Sequence, residues 1–296
     1  MSRLPDPKII MAIKDLSLAA KRTIDGFMAG INNSTIKGPG LEFSQYRSYQ
    51  PGDDLRWLDW KMYARSDRYY IRESEIETSI SVRFLIDASN SMNHKDDSGF
   101  SKIEYARYMA ASLGYLAHKQ GDSVGLYVFR DGELFSLPSK KDPQHMSRFF
   151  FQLEQIAPGG KFTEPIQYRH IFSGEQKREL LIFITDFYER DGEITRLLDT
   201  LATLQHEIIV FQLMGKNELE MDFGNYDMVE DLETGERVSV NSAQARKNYK
   251  EKLQEYLAAL RMQLLDKHIF YRLVNMEQPL EQVLRDFLNQ RLKSIV

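Results

Sequence analysis

From Thr78 onward, short apolar runs and amphipathic stretches alternate along the chain. Val82-Arg83-Phe84-Leu85-Ile86 reads as a strand. Beyond a polar loop, Ile103, Ala106, Met109, Leu113 and Leu116 recur at helical spacing, which predicts a helix near Lys102–Lys119. Further strands are predicted at Ser123–Arg130, Leu180–Thr185, Glu207–Leu213 and His268–Val274, and helices near Pro143–Ile156, Gly192–Leu204, Ser242–Leu265 and Pro279–Leu292. Strands that are apolar throughout are buried on both faces, so the pattern predicts an α/β fold with a mostly parallel sheet covered by helices.

The first 78 residues have a different character. Ile9, Ile13, Leu16, Ala20, Ile24, Phe27 and Met28 predict one or two amphipathic helices between Pro5 and Ile31. From Lys37 to Glu77, Tyr46, Tyr49, Trp57, Trp60, Tyr63, Tyr69 and Tyr70 interleave with acids and arginines, which suggests short strands and loops around Pro51-Gly52. In the simplest account Arg47, Arg56 and Arg65 pair with Asp53, Asp54 and Asp59 while the aromatics fill a small core. The chain thus divides at 1–78 and 79–296, with the N-terminal region expected to pack on the α/β domain because no long linker separates them. Asp131-Gly132 and Thr234-Gly235 are turn dipeptides, the second between short strands at Tyr226–Leu232 and Glu236–Val240.

Composition narrows the function classes. With 43 acidic and 39 basic residues the chain is nearly balanced, which argues against nucleic acid as the main ligand. The absence of cysteine excludes disulfides, thiolate metal sites and cysteine catalysis, and fits a cytoplasmic location. No segment approaches the roughly 20 apolar residues needed to span a bilayer, so direct membrane insertion is not expected.

The chemistry concentrates at strand ends. The first α/β strand runs into Asp87-Ala88-Ser89-Asn90-Ser91, which sets one carboxylate and two hydroxyls at alternate positions on a turn. Another strand ends in Thr185-Asp186. Between them Pro158-Gly159-Gly160-Lys161-Phe162-Thr163 forms a loop able to bring Thr163 to the same rim. Ligands in open α/β sheets gather at the carboxyl ends of the strands, and oxygen donors of this kind suit Mg²⁺ or Mn²⁺. The predicted metal ligands are Asp87, Ser89, Ser91, Thr163 and Asp186. His94 and Asp96 are close by but read as part of a solvated loop.

Asp87-x-Ser89-x-Ser91 with a later threonine and Thr185-Asp186 resembles the metal-ion-dependent adhesion site of von Willebrand factor A domains. That resemblance implies a Rossmann-like fold and a cation whose open position takes an acidic residue of a partner protein. Gly38-Pro39-Gly40-Leu41-Glu42-Phe43, Tyr46-Arg47-Ser48-Tyr49-Gln50-Pro51-Gly52-Asp53-Asp54-Leu55-Arg56-Trp57-Leu58-Asp59-Trp60 and Ala64-Arg65 resemble the signature of the bacterial domain-of-unknown-function 58 family. The likeness is strong from about Thr35 to Asp186 and weaker beyond. It implies a MoxR-type AAA ATPase as partner. Relatives often carry N-terminal membrane helices, which this chain is expected to lack. Their loop reads Gly-Gly-Thr, whereas Lys161 and Phe162 here separate Gly160 from Thr163.

The function expected is a metal-dependent protein-interaction module rather than an enzyme. A Mg²⁺-dependent hydrolase or phosphatase is the alternative, but Ser89 stands where a second aspartate would serve as general acid, and no lysine is legible beside the site. A structural subunit with an unused metal site is the other alternative. Gly38-Pro39-Gly40 is not a phosphate cradle, and no serine–histidine–acid set is legible.

Overall fold

A computed structural model describes residues 15–32, 46–50, 60–66, 68–72, 79–96, 99–163, 178–221, 228–230, 232, 235, 237–239 and 243–294. The chain forms two compact units, one of Met1–Ala29 with Ile80–Val296 and one of Gly30–Ser79. Asp15 precedes α1 (Leu16–Asn32), and its Oδ1 accepts the Leu18 amide at 3.0 Å. Leu16, Ala20 and Ile24 repeat at intervals of four and are buried in the core of the main sheet. The helix therefore belongs with the α/β unit and not with the aromatic block that follows it. The part predicted before Asp15 lies outside the described residues.

In the smaller unit β1 (Tyr46–Ser48) pairs antiparallel with β2 (Tyr70–Arg72), and α2 (Trp60–Ser66) lies between them in sequence. That helix departs from the strands and loops predicted there. The Tyr63 and Tyr69 rings stack at 4.5 Å, Tyr49 meets Tyr69 edge-on at 6.2 Å, and Trp60 meets Tyr63 edge-on at 6.3 Å. Trp60 nevertheless remains 62% exposed and Tyr69 48% exposed, so among the described residues these rings cluster without forming a closed core. Asp53, Asp54, Arg56 and Asp59 lie outside the described residues.

The larger unit continues with β3 (Ser81–Asp87), α3 (Lys102–Lys119), β4 (Ser123–Arg130), β5 (Glu133–Lys140), α4 (Pro143–Gln155) and β6 (Leu180–Thr185). Next come α5 (Glu193–Ala202), β7 (Glu207–Met214), α6 (Lys216–Glu220), the antiparallel pair β8 (Met228–Glu230) and β9 (Arg237–Ser239), α7 (Ala243–Asp266), β10 (Phe270–Asn275) and α8 (Leu280–Ser294). Six strands form one sheet in the order β10-β7-β6-β3-β4-β5, parallel except for the β4–β5 hairpin. Counted from β3 this is the doubly wound order 3-2-1-4-5-6. Successive side chains of a strand face opposite sides, so Phe84 and Ile86 enter one core with α1, α3, α4 and α8, while Leu85 enters the other with α5 and α7.

At the two edges of the sheet the structure differs from the sequence reading. β5 was not expected, because its exposure alternates and Pro138 weakens any strand signal. At the sheet edge only one side needs a ladder partner, so a proline is tolerated there. Asp131 (φ 49°) and Gly132 (φ 78°) supply the two left-handed residues of the hairpin turn. Opposite the register shift in β5, a Cβ on Gly125 would come within 3.0 Å of the Leu137 carbonyl and the Ser139 amide, so only glycine lets β5 approach. At the other edge His268 (φ 57°) ends α7, with Ile269 N donating to Leu264 O at 2.9 Å, and β10 starts at Phe270 rather than His268.

A capping box starts α3 in the register the site requires. Ser101 Oγ accepts the Glu104 amide at 3.3 Å, and Glu104 Oε2 accepts the Ser101 amide at 2.8 Å. Ser101→Ala is expected to cost about 1 kcal/mol, read as a lower urea midpoint at unchanged slope; an unchanged midpoint would mean the cap contributes nothing.

Candidate metal centre

β3 and β6 are neighbours, with Ile86 opposite Ile184, so Asp87 and Thr185 emerge side by side at the carboxyl edge of the sheet. Thr185 Oγ1 donates to Asp87 Oδ2 at 2.7 Å and accepts the Phe187 amide at 2.9 Å. The Ser89 amide donates to Asp87 Oδ1 at 2.9 Å. Ser89 occupies the N-cap position of the short 3₁₀ turn Asn90–Asn93, yet its side chain does not cap that turn. Its hydroxyl instead lies 3.0 Å from Ser91 Oγ, and Ser91 Oγ donates to Asp186 Oδ1 at 3.1 Å. Since the single Ser91 hydroxyl proton goes to Asp186, Ser89 is the donor to Ser91. Ser89 thus holds Asp87 through its amide, and the Ser89–Ser91 hydroxyl pair leads on to Asp186.

Four of the five predicted ligands meet in this way. Asp87 and Ser89 are fully buried, and Ser91 and Asp186 are 8% and 7% exposed. Thr163 stands apart. It is exposed, and its hydroxyl lies 3.1 Å from where a Cβ on Gly132 would be, at the β4–β5 turn. Its loop is nonetheless stitched to the Asp87 turn, the Gly159 amide donating to Ala88 O and the Asn90 amide to Gly160 O, each at 2.9 Å. Gly160 has φ 64°, and a side chain there would run into the Asp131 carboxylate. Phe162 is buried against Phe129 and Phe183 at ring distances of 5.5 and 6.1 Å. The residue that lengthens the loop is therefore its anchor in the second core.

Several contributors were not legible. Lys102 reads as an ordinary helix-start lysine, yet it sits on the same stripe as Ala106, Met109 and Leu113, and that placement was the available signal. It is 3% exposed, and its ammonium donates to Asp186 Oδ2 at 2.9 Å and to Glu218 Oε1 at 2.7 Å. The absence of a lysine beside the site, expected from sequence, is thereby corrected. Gln212, the one amide in an otherwise apolar strand interior, donates to the Asp186 carbonyl at 3.1 Å and accepts Tyr271 Oη at 2.6 Å. The solvated-loop reading also fails. Asp96 is 6% exposed, and His94 is half-buried with Nε2 3.0 Å from Asn217 Oδ1.

Burial, and then the Asp186 charge, push Asp87 up from its ordinary value to about 7, against the donors from Ser89 and Thr185. Burial also works against charge on Lys102, but Asp186 and Glu218 outweigh it and raise its pKa. Among the described residues no three His, Cys, Asp or Glu side chains converge as a metal cage. A cation here would be held by hydroxyls with few carboxylates, a donor set that fits Mg²⁺ or Mn²⁺ retaining several waters. The buried, poorly neutralised Asp87 is the group such a cation would relieve. A cleft of about 410 Å³ opens beside the turn, lined by Ser91, Lys102, Asp186, Tyr188, Tyr249 and Tyr256 among others. Tyr256 Oη donates to Phe187 O at 3.3 Å and so fixes α7 as one wall.

A doubly wound sheet with one antiparallel edge strand and an oxygen-rich turn at its carboxyl edge defines a Rossmann-like α/β domain. The chain belongs to the DUF58 family, described as a protein of unknown function, whose model matches residues 45–258. An uncharacterized protein of Mycobacterium tuberculosis, Rv1480, is 26% identical over 238 residues, covering 78% of this chain and 73% of its own. The conserved hypothetical protein BatB from Bacteroides thetaiotaomicron is 19% identical with a TM-score of 0.44, over 73% of this chain and all of its own. The SpRpn10 VWA domain is 13% identical with a TM-score of 0.40, over 72% of this chain and 95% of its own. Among the described residues no helix is long and apolar enough to cross a membrane.

Proposed function

We propose that this chain is a cytoplasmic, metal-dependent protein-interaction module that works with a MoxR-type AAA ATPase in assembling or activating another protein complex. Asp87, Ser89 and Ser91 would hold Mg²⁺ or Mn²⁺, with Asp186 behind Ser91 and Thr163 supplied by the loop stitched to the turn. An acidic side chain of the partner would complete the coordination. The observation that carries this reading is the Asp87–Ser91 turn at the sheet edge, where the Ser89 amide holds buried Asp87 and the Ser89–Ser91 hydroxyl pair reaches buried Asp186. Hydroxyls leave a divalent cation under-neutralised, so an incoming carboxylate gains a strong charge interaction. The test is calorimetric titration of Mg²⁺ and Mn²⁺, then of a candidate MoxR-type ATPase with metal or with chelator. Partner affinity that tracks the metal supports the module; partner affinity indifferent to chelator rejects it.

Phosphoryl transfer is the second reading, favoured by the Lys102 ammonium beside Asp186. Both of its carboxylate contacts are already made within the fold, and Ser89 supplies no carboxylate at the general-acid position. Mg²⁺-dependent hydrolysis of p-nitrophenyl phosphate, lost in Asp87→Asn, would favour the enzyme over the module.

A further inference from the structure

Lys102 is a costly residue to bury, and its placement is over-determined. It starts α3 directly after the Ser101 cap, and the helix register turns its side chain inward. Asp186 has little capacity left: Oδ1 accepts Ser91 Oγ at 3.1 Å and the Tyr188 amide at 3.2 Å, and Oδ2 accepts Lys102 at 2.9 Å. Glu218, the other partner of Lys102, is held in place because its Oε2 accepts the Gly215 amide at 2.8 Å at the start of α6. The centre therefore contains its own fixed cation. With the acids ionised, Asp87, Asp186 and Glu218 against Lys102 give a formal charge of -2, from three negatives and one positive.

We infer that Lys102 is a specificity-determining residue, whose fixed charge holds down the affinity of the centre for a divalent cation and leaves the bound cation electrophilic toward an acidic partner. The inference rests on the metal reading above. Without Lys102 the acids would neutralise the metal by themselves, and a partner's carboxylate would gain less from joining it. Spending one oxygen of Asp186 on Lys102 keeps the pull of the cation outward, toward the cleft that Ser91 and Asp186 line. Metal and acidic partner are then recognised together, and the metal alone is held weakly.

A charge ladder separates this role from simple positioning of Asp186. Mg²⁺ affinity is measured by calorimetry for the full chain, for Lys102→Met, Glu218→Gln and the double variant, with thermal unfolding in chelator as the folding control. Removing the ammonium gives a formal -3 and is expected to tighten Mg²⁺ binding about tenfold or more. Glu218→Gln gives -1 and is expected to weaken it comparably, while the double variant restores -2 and returns toward the parent. If Lys102 only positions Asp186, Lys102→Met weakens binding and Glu218→Gln leaves it unchanged, which would overturn the inference. Should Lys102→Met fail to unfold cooperatively, Glu218→Gln still decides, since unchanged or tighter binding there rejects the charge argument. No Mg²⁺ binding by the parent would reject the metal reading itself and the inference with it.

Discussion

Replacing Asp87 by asparagine is expected to abolish metal binding, and partner binding that depends on it, by at least a hundredfold, while making the metal-free protein more stable above pH 7. The two effects share a cause. Asp87 is fully buried beside Asp186, and its pKa is pushed from 3.8 to about 7. An acid whose folded-state pKa is raised binds more protons in the native than in the unfolded state between those values. Its contribution is present below pH 4 and lost as pH rises through 7. Asparagine keeps an acceptor for the Ser89 amide and never ionises, although its amide group facing Thr185 Oγ1 costs that hydroxyl its present acceptor, which offsets part of the gain. The expected gain in chelator at pH 8 is about 1–3 kcal/mol, below the ceiling of about 1.4 kcal/mol per pKa unit. Urea denaturation of parent and variant from pH 5 to 8, with EDTA and with Mg²⁺, checks this. A variant less stable than the parent at pH 8 in EDTA would show that Asp87 is satisfied without a cation.

Phe162→Ala is expected to destabilise the protein by about 3–5 kcal/mol, as buried phenylalanine truncations do, and to loosen the loop beside the candidate centre. Phe162 is 4% exposed and fills the second core against Phe129 and Phe183. It also holds the loop whose Gly159 and Gly160 backbones bond the Asp87 turn. If that loop completes the centre, Mg²⁺ affinity falls along with stability, and Thr163→Val lowers affinity with little loss of stability because Thr163 is exposed. Full Mg²⁺ affinity in both variants would remove Thr163 and its loop from the centre. A loss under about 1 kcal/mol for Phe162→Ala would mean the ring is not a core anchor.

The elements legible in the sequence are those whose signal is local. β6 is a continuous apolar run and β3 an apolar run broken by Arg83, because both of their faces are buried, and α3 carries its stripe beside its own capping box. The Asp87 turn and Thr185-Asp186 were legible as strand-terminal polar groups. β5 was missed because an edge strand half open to water has no apolar run to display. α2 was missed because Trp60, Tyr63 and Tyr69 satisfy one another by stacking, without a stripe directed at a core.

By itself, the sequence determined an α/β domain, the strands that carry Asp87, Ser89, Ser91 and Asp186, and the family to which the chain belongs. Tertiary structure alone decided which groups share the site. The β3–β6 register set Thr185 on Asp87, and the inward face of α3 carried Lys102 to Asp186 across 84 residues of sequence. It also decided that Phe162, apparently an insertion, anchors the loop while Thr163 stands at the hairpin turn. The physical reason is that apolar periodicity and turn chemistry act over a few residues, whereas burial and the pairing of charges depend on segments that only strand order and helix packing bring together.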